Sequence, residues 1–420
     1  MTTKTRSSDL FIDAEKILVG GVNSPVRAFK SVDSTPIFMK SGSGSKLMSE
    51  DGLEYIDYVL SYGPLILGHN DPDITKAIKE AAEKGTSFGA PTVKETELAK
   101  LIQDVYPSIE KLRFVNSGTE ATMSAIRLAR GVTDKKKLLK FDGCYHGHSD
   151  SLLVATGSGA LTHANPDSLG VLEDTAKHTT VLPYNDSSGV TAYFKKHGHD
   201  IAAIIVEPVA GNMGVILPEP GFLETLRECC TKYESILIFD EVMCGFRLPE
   251  GGAQQYFKVT PDLTILGKVI GGGLPCGAYG GKAEIMNHLS PLGAVYQAGT
   301  LSGNPLVMAA GVTMLNKLKK EEILKKVCQN TQDLVSHLKE STPLQIQSCG
   351  TMFSLFFTSQ KVRNLDEVKT CDLRKFKKFH SHLLNQGIYT PPSQFEANFT
   401  SVAHTKEDII KTKEAINAFF

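Results

Sequence analysis

The chain has 420 residues, 41% hydrophobic and 22% charged, with a formal net charge of −1, an ordinary globular composition with room for a large domain and a smaller companion. The balanced charge excludes electrostatic capture of nucleic acid or anionic lipid. No apolar run nears the roughly 20 residues of a membrane span, the N-terminus lacks a signal-peptide core, and eight scattered cysteines without CxxC or zinc-finger spacing fit free thiols in a reducing cytoplasm.

The segment 1–68 is rich in Gly and Ser and carries short strand-like runs, PIFM, KLMS and YIDYVL. Further on, NSGTEATMSAIRLAR sets Ser117, Gly118 and Thr119 ahead of a helical pattern of Ala121, Ala125, Leu128 and Ala129. Backbone N–H groups at such a helix start bind phosphate readily. Ser117 and Glu120 also have the spacing of a capping box, and the two readings are compatible. The basic run Lys135-Lys136-Lys137 is short enough to be a solvated helix end.

After the apolar run LLKF comes CYHGHSD, with Tyr145 able to lie against the face of an aromatic cofactor and His146 beside it. Cys144, His146 and His148 invite a metal reading, but no HExxH or CxxC completes it, so no metal is expected. His148 to Val171 is rich in Gly, Ser and Asn and reads as a loop.

Three strands follow, IAAIIV, ILIF and LTIL, the first two uninterrupted apolar runs of the kind buried on both faces of a parallel sheet. Between the first two, GFLETLRECCTKY places Phe222, Leu226, Cys229 or Cys230, and Tyr233 at helical intervals, as in a βαβ unit. The strands end in Glu207, Asp240 and Lys268, where open parallel sheets bind ligands. An acid there can simply cap the next helix. A lysine among Ile, Leu, Val and three glycines is harder to dismiss.

An apolar pocket depresses a lysine's pKa and frees its amine for a Schiff base. Glycines let a flat cofactor approach, and an aspartate on the next strand can hold a pyridine nitrogen protonated, the arrangement used with pyridoxal phosphate. GKVIGGG lacks Walker order, and GGGLPCG does not fit GxGxxG. Beyond residue 318 the pattern predicts a charged helix, a strand at Met352–Phe357, a helix at Leu373–Leu384 and a last helix from Lys406. The expected organisation is a large α/β domain at 69–316, with 1–68 and 317–420 packing together as a small α+β domain.

SGTEA, CYHGH, EPVAGNMG, IFDEVMCGFR and LGKVIGGGLPCGAYGG occur in this order and resemble the class III aminotransferases of pyridoxal-phosphate fold type I. GGVNSPVRAF, YQAGTLSGNPL and PPSQFEANFTS are similar to the glutamate-1-semialdehyde aminomutase branch of that family. The likeness runs from about residue 15 to the C-terminus. It implies the fold-type I architecture, a large central domain with a mostly parallel sheet flanked by helices. It also implies that Lys268 carries the cofactor, in its pyridoxal or pyridoxamine form, and shuttles protons, and that Asp240 pairs with the ring nitrogen. Val242 and Tyr145 would sandwich the ring. Ser117, Gly118 and Thr119 would hold the phosphate, joined by Thr300 from the second subunit of a homodimer, with His146, Glu207 and Asn212 lining the site. Arg27 and Ser24 would bind the substrate carboxylate, and Glu396 would reach in from the C-terminal segment.

The implied reaction converts glutamate 1-semialdehyde to 5-aminolevulinate through 4,5-diaminovalerate, for tetrapyrrole synthesis, with His148–Val171 as a gating loop. Asp71, Cys244 and Leu172-Glu173 depart from the family pattern. An ω-aminotransferase is the alternative, but Gly387–Thr405 holds no arginine of the kind such enzymes use for a keto acid. A non-catalytic cofactor-binding protein and a metal hydrolase fit less of the chain.

Overall fold

A computed structural model describes residues 5–155 and 165–420. At its centre lies a seven-stranded sheet: β1 Lys111–Val115, β2 Lys137–Phe141, β3 Thr179–Leu182, β4 Ile201–Val206, β5 Ile236–Asp240, β6 Leu263–Gly267 and β7 Gly277–Gly281. Their spatial order is β1-β7-β6-β5-β4-β2-β3. Only β7 runs antiparallel to its neighbours.

Every residue of β4, β5 and β6 is buried, because helices cover both faces. Ala203 and Ile205 share a core with Ala121, Ala125 and Leu128 of helix Gly118–Thr133; Ile204 and Val206 share another with Phe222 and Leu226 of helix Phe222–Lys232. The twofold period of a strand sorts the two faces. The parallel register, Phe239 opposite Val206 and Asp240 opposite Ile265, brings Glu207, Asp240 and Lys268 to one edge.

The chain's two ends meet. Strand Glu54–Asp57 pairs antiparallel with Lys46–Ser49 and parallel with Ile388–Tyr389, while Met352–Phe356 lies between Gln345–Cys349 and Asn398–Phe399. The early runs differ from expectation. PIFM joins the ladder only at Met39, and YIDYVL leaves the strand at Asp57. There the Asp57 carboxylate accepts the N–H groups of Val59 and Leu60, and Leu60, Ser61, Tyr62 and Gly63 turn left-handed, with φ of 45°, 59°, 62° and 115°. Asp71 caps helix Pro72–Ala82 and pairs with Lys317 at 2.7 Å, an anchoring role independent of the chemistry. No described helix is long and apolar enough to cross a membrane.

Helix Pro305–Leu318 runs beneath the turn that begins at Lys268, and a Cβ at Gly311 would strike the Ile270 carbonyl oxygen. Helix propensity alone favours Gly311→Ala by about 1 kcal/mol. The close approach reverses the sign, so the substitution should cost about 1–3 kcal/mol. A fall in the thermal midpoint checks this; a rise would contradict it.

Candidate active site

Asp240 closes β5 almost fully buried. Its Oδ2 lies 2.7 Å from His146 Nδ1, and its Oδ1 accepts the Val242 N–H at 3.1 Å. A carboxylate only accepts, so Nδ1 of His146 carries the proton. Burial lowers the basicity of His146 against the opposing pull of Asp240, and the imidazole stays neutral.

Glu207, beyond β4, accepts the N–H groups of Tyr145 and Gly211 at 2.8 and 2.9 Å, and its oxygens lie 3.0 and 3.2 Å from Asn212 Nδ2. It therefore ties the Tyr145 segment to the strand end. Burial, then the charge of Asp240, pushes its carboxyl up to about 8; the Gly211, Tyr145 and Asn212 donors oppose this.

Lys268 opens the turn Lys268–Gly271 with a left-handed φ of 48°. Burial lowers its amine below the usual lysine range, and the Arg247 guanidinium adds to that; Glu396, Glu207 and Asp240 pull the other way. Such an amine can act as nucleophile or base near neutrality.

Around these groups the backbone forms a shallow cradle. Ser117 caps helix Gly118–Thr133, its Oγ accepting the Glu120 N–H. The Glu120 carboxylate takes the N–H of Asn116, one residue short of a full capping box. The first-turn N–H groups of Gly118 and Thr119 have no intrahelical acceptor and suit an anion. A Cβ on Gly118 or on Gly267 would press on Val242 Cγ1 at 3.2 Å, so both glycines let their backbone lie close against Val242. Tyr145 stays 52% exposed, and Gly147 allows its loop to lie against Thr119. A buried acid, a lysine of lowered basicity and a helix start with free N–H groups fit pyridoxal phosphate. Among the described residues no group of three His, Cys, Asp or Glu could hold a metal.

Arg27 lies exposed on the turn Pro25–Ala28, behind Ser24, its N–H donating to the Ser24 carbonyl and its guanidinium in no hydrogen bond or ion pair among the described residues. Tyr62 faces both Arg27 and Glu396: burial, then Glu396, pushes its hydroxyl up, and Arg27 opposes. Burial raises the Glu396 carboxyl, with Lys268 opposing. Tyr62 and Arg247 escaped sequence reasoning; the Gly-Pro after Tyr62 was the one local sign of a turn. Thr300 does not join this group. It lies exposed in a separate groove of about 400 Å³ beside Phe88, Pro91 and Leu301. Residues 156–164 of the expected gating loop lie outside the described residues; its stem, Val154–Ala155, pairs with Asn165–Pro166.

The native fold should hold a proton on Glu207 between about 4.5 and about 8 that the unfolded chain lacks. Its contribution to stability is full at lower pH and is lost as pH rises through that window. The stability of native protein relative to Glu207→Gln should therefore decline across this range and level off above it. Denaturant midpoints at several pH values read the slope; a flat difference would place a charged Glu207 in the fold.

The sequence model for "Aminotransferase class-III" matches residues 28–416. The chain is 55% identical to "Glutamate-1-semialdehyde 2,1-aminomutase 2" of an Exiguobacterium strain, over 99% of this chain and 97% of the relative. A solved ω-transaminase from Sphaerobacter thermophilus superimposes with a TM-score of 0.93 at 33% identity, covering 100% of this chain and 98% of that one. A structure described as a transaminase with PLP bound has a TM-score of 0.88 at 28% identity, covering 98% and 96%. Matched almost end to end in sequence and in fold, the chain belongs to the class III aminotransferase family.

Proposed function

We propose that this protein is a glutamate-1-semialdehyde 2,1-aminomutase that uses pyridoxal phosphate and moves an amino group between adjacent carbons to make 5-aminolevulinate by way of 4,5-diaminovalerate. The near full-length 55% identity to aminomutases carries the reading. The exposed, unpaired Arg27 supplies a carboxylate ligand at the N-terminal side of the site, and Gly387–Thr405 supplies none.

The cofactor supplies an electron sink that makes the proton beside the amine-bearing carbon labile. Asp240 would hold its ring nitrogen; Ser117, Gly118 and Thr119 its phosphate; Val242 and Tyr145 its faces. His146 donates Nδ1–H to Asp240 and fixes that carboxylate. Glu207 and Asn212 hold the Tyr145 segment in place. The uncharged Nζ of Lys268 takes a proton at one substrate carbon and returns it at the other end of the transfer, general base and acid in turn. Arg27 binds the substrate carboxylate, assisted by Ser24, and Tyr62 and Glu396 close that side.

Thr300, in its exposed groove, would complete the phosphate site of a second subunit in a homodimer. The pairing of Glu54–Asp57 with Ile388–Tyr389 supports 1–68 and 317–420 as one small unit beside 69–316. The solved ω-transaminase favours the alternative, amine exchange between two separate substrates.

Purified protein given glutamate 1-semialdehyde and no keto acid should form 5-aminolevulinate; a strict requirement for a second carbonyl substrate would select the ω-aminotransferase instead. Lys268→Ala should lower turnover by at least the roughly 10²–10⁴-fold typical of a lost acid–base group. Arg27→Leu should act chiefly on KM, with kcat much less affected.

A further inference from the structure

The geometry points to Arg247 as a positioning residue, a fixed positive charge set against Lys268 whose repulsion keeps that amine free of a proton. Arg247 is fully buried. Nε donates to the Met243 carbonyl at 2.9 Å, Nη1 lies 3.4 Å from Thr351 Oγ1, and the guanidinium sits 4.9 Å from the centre of the Phe399 ring. No carboxylate pairs with it among the described residues, and Nη2 has no hydrogen-bond partner there. Burying a charge without a counter-ion is costly, so a cation kept this way calls for an explanation.

Gly63 shows where the free side of the guanidinium points. A Cβ built on Gly63 would stand 2.9 Å from Arg247 Nη2 and 3.4 Å from Lys268 Cδ. The two basic side chains therefore approach across the one residue that has no side chain to separate them. Gly63 holds a φ of 115° at the end of the left-handed run, which brings its backbone between them. Burial draws the guanidinium down to about 9, opposed by Cys244, so it remains a cation at neutral pH. The groups facing Lys268 are Arg247, Glu396, Glu207 and Asp240; Arg247 alone among them opposes the ammonium form. A brace for Met243 and Thr351 would need only the hydrogen bonds. Repulsion needs the charge.

The inference rests on Lys268 being the working amine of the proposed reaction, but its test does not use turnover. Full-length protein freed of cofactor would be labelled with acetic anhydride across a pH range, and labelling at Lys268 followed by peptide mapping. Arg247→Met and Arg247→Gln should move the labelling midpoint to higher pH. The expected rise of the midpoint is about one pH unit. Thr351→Val, which drops the hydrogen bond and keeps the charge, should leave the profile in place. A folded Arg247→Met or Arg247→Gln protein with the native profile overturns the inference. So does native protein whose Lys268 titrates like a surface lysine, a result readable even if neither variant folds. Failure to make 5-aminolevulinate would undo the proposed function and leave these profiles unchanged.

Discussion

Partial burial lowers the basicity of the Lys268 amine, and much of the surrounding structure serves that condition. β6 carries it out of a fully buried strand into a tight turn, and the glycines after it let helix Pro305–Leu318 press from below. Nearby acids would protonate it if they were strongly charged. Burial weakens that pull, since it also holds the carboxyls of Glu207 and Glu396 towards their neutral forms. The lysine's reactivity is a property of the whole sheet edge.

The same edge separates two kinds of acid. Asp240 keeps a histidine as donor and a backbone N–H as second partner, which would equip it to face the ring of the proposed cofactor. Glu207, one strand over, is spent on backbone N–H groups and an amide. In the proposed function, neighbouring strand ends in one register would thus carry one carboxylate for the cofactor and one for the scaffold. The distinction comes from their partners, because both emerge from equally apolar strands.

Much of the central sheet was legible in the residues. IAAIIV and ILIF are unbroken apolar runs, and a parallel sheet covered on both faces is the arrangement that buries them. The Phe222–Lys232 helix followed from its spacing, and the Asp240 and Lys268 positions followed from the strands. The Tyr62 wall was not legible: its left-handed course depends on a side chain, Asp57, capturing two backbone N–H groups. Propensity cannot register that. Arg27 has no local signal either, and only the GGVNSPVRAF resemblance marked it. Arg247 was visible as a charge in IFDEVMCGFR, but its lack of a partner exists only in three dimensions.

The pairing of Glu54–Asp57 with Ile388–Tyr389 joins segments more than three hundred positions apart, and Asp57 at the end of that strand shapes the wall that carries Tyr62. Contacts of such long range form slowly. During synthesis, the central sheet can gather its apolar strands well before the pocket's rim exists. A chain still on the ribosome would therefore hold Lys268 in a half-built cleft until Ile388–Tyr389 has emerged and paired with Glu54–Asp57.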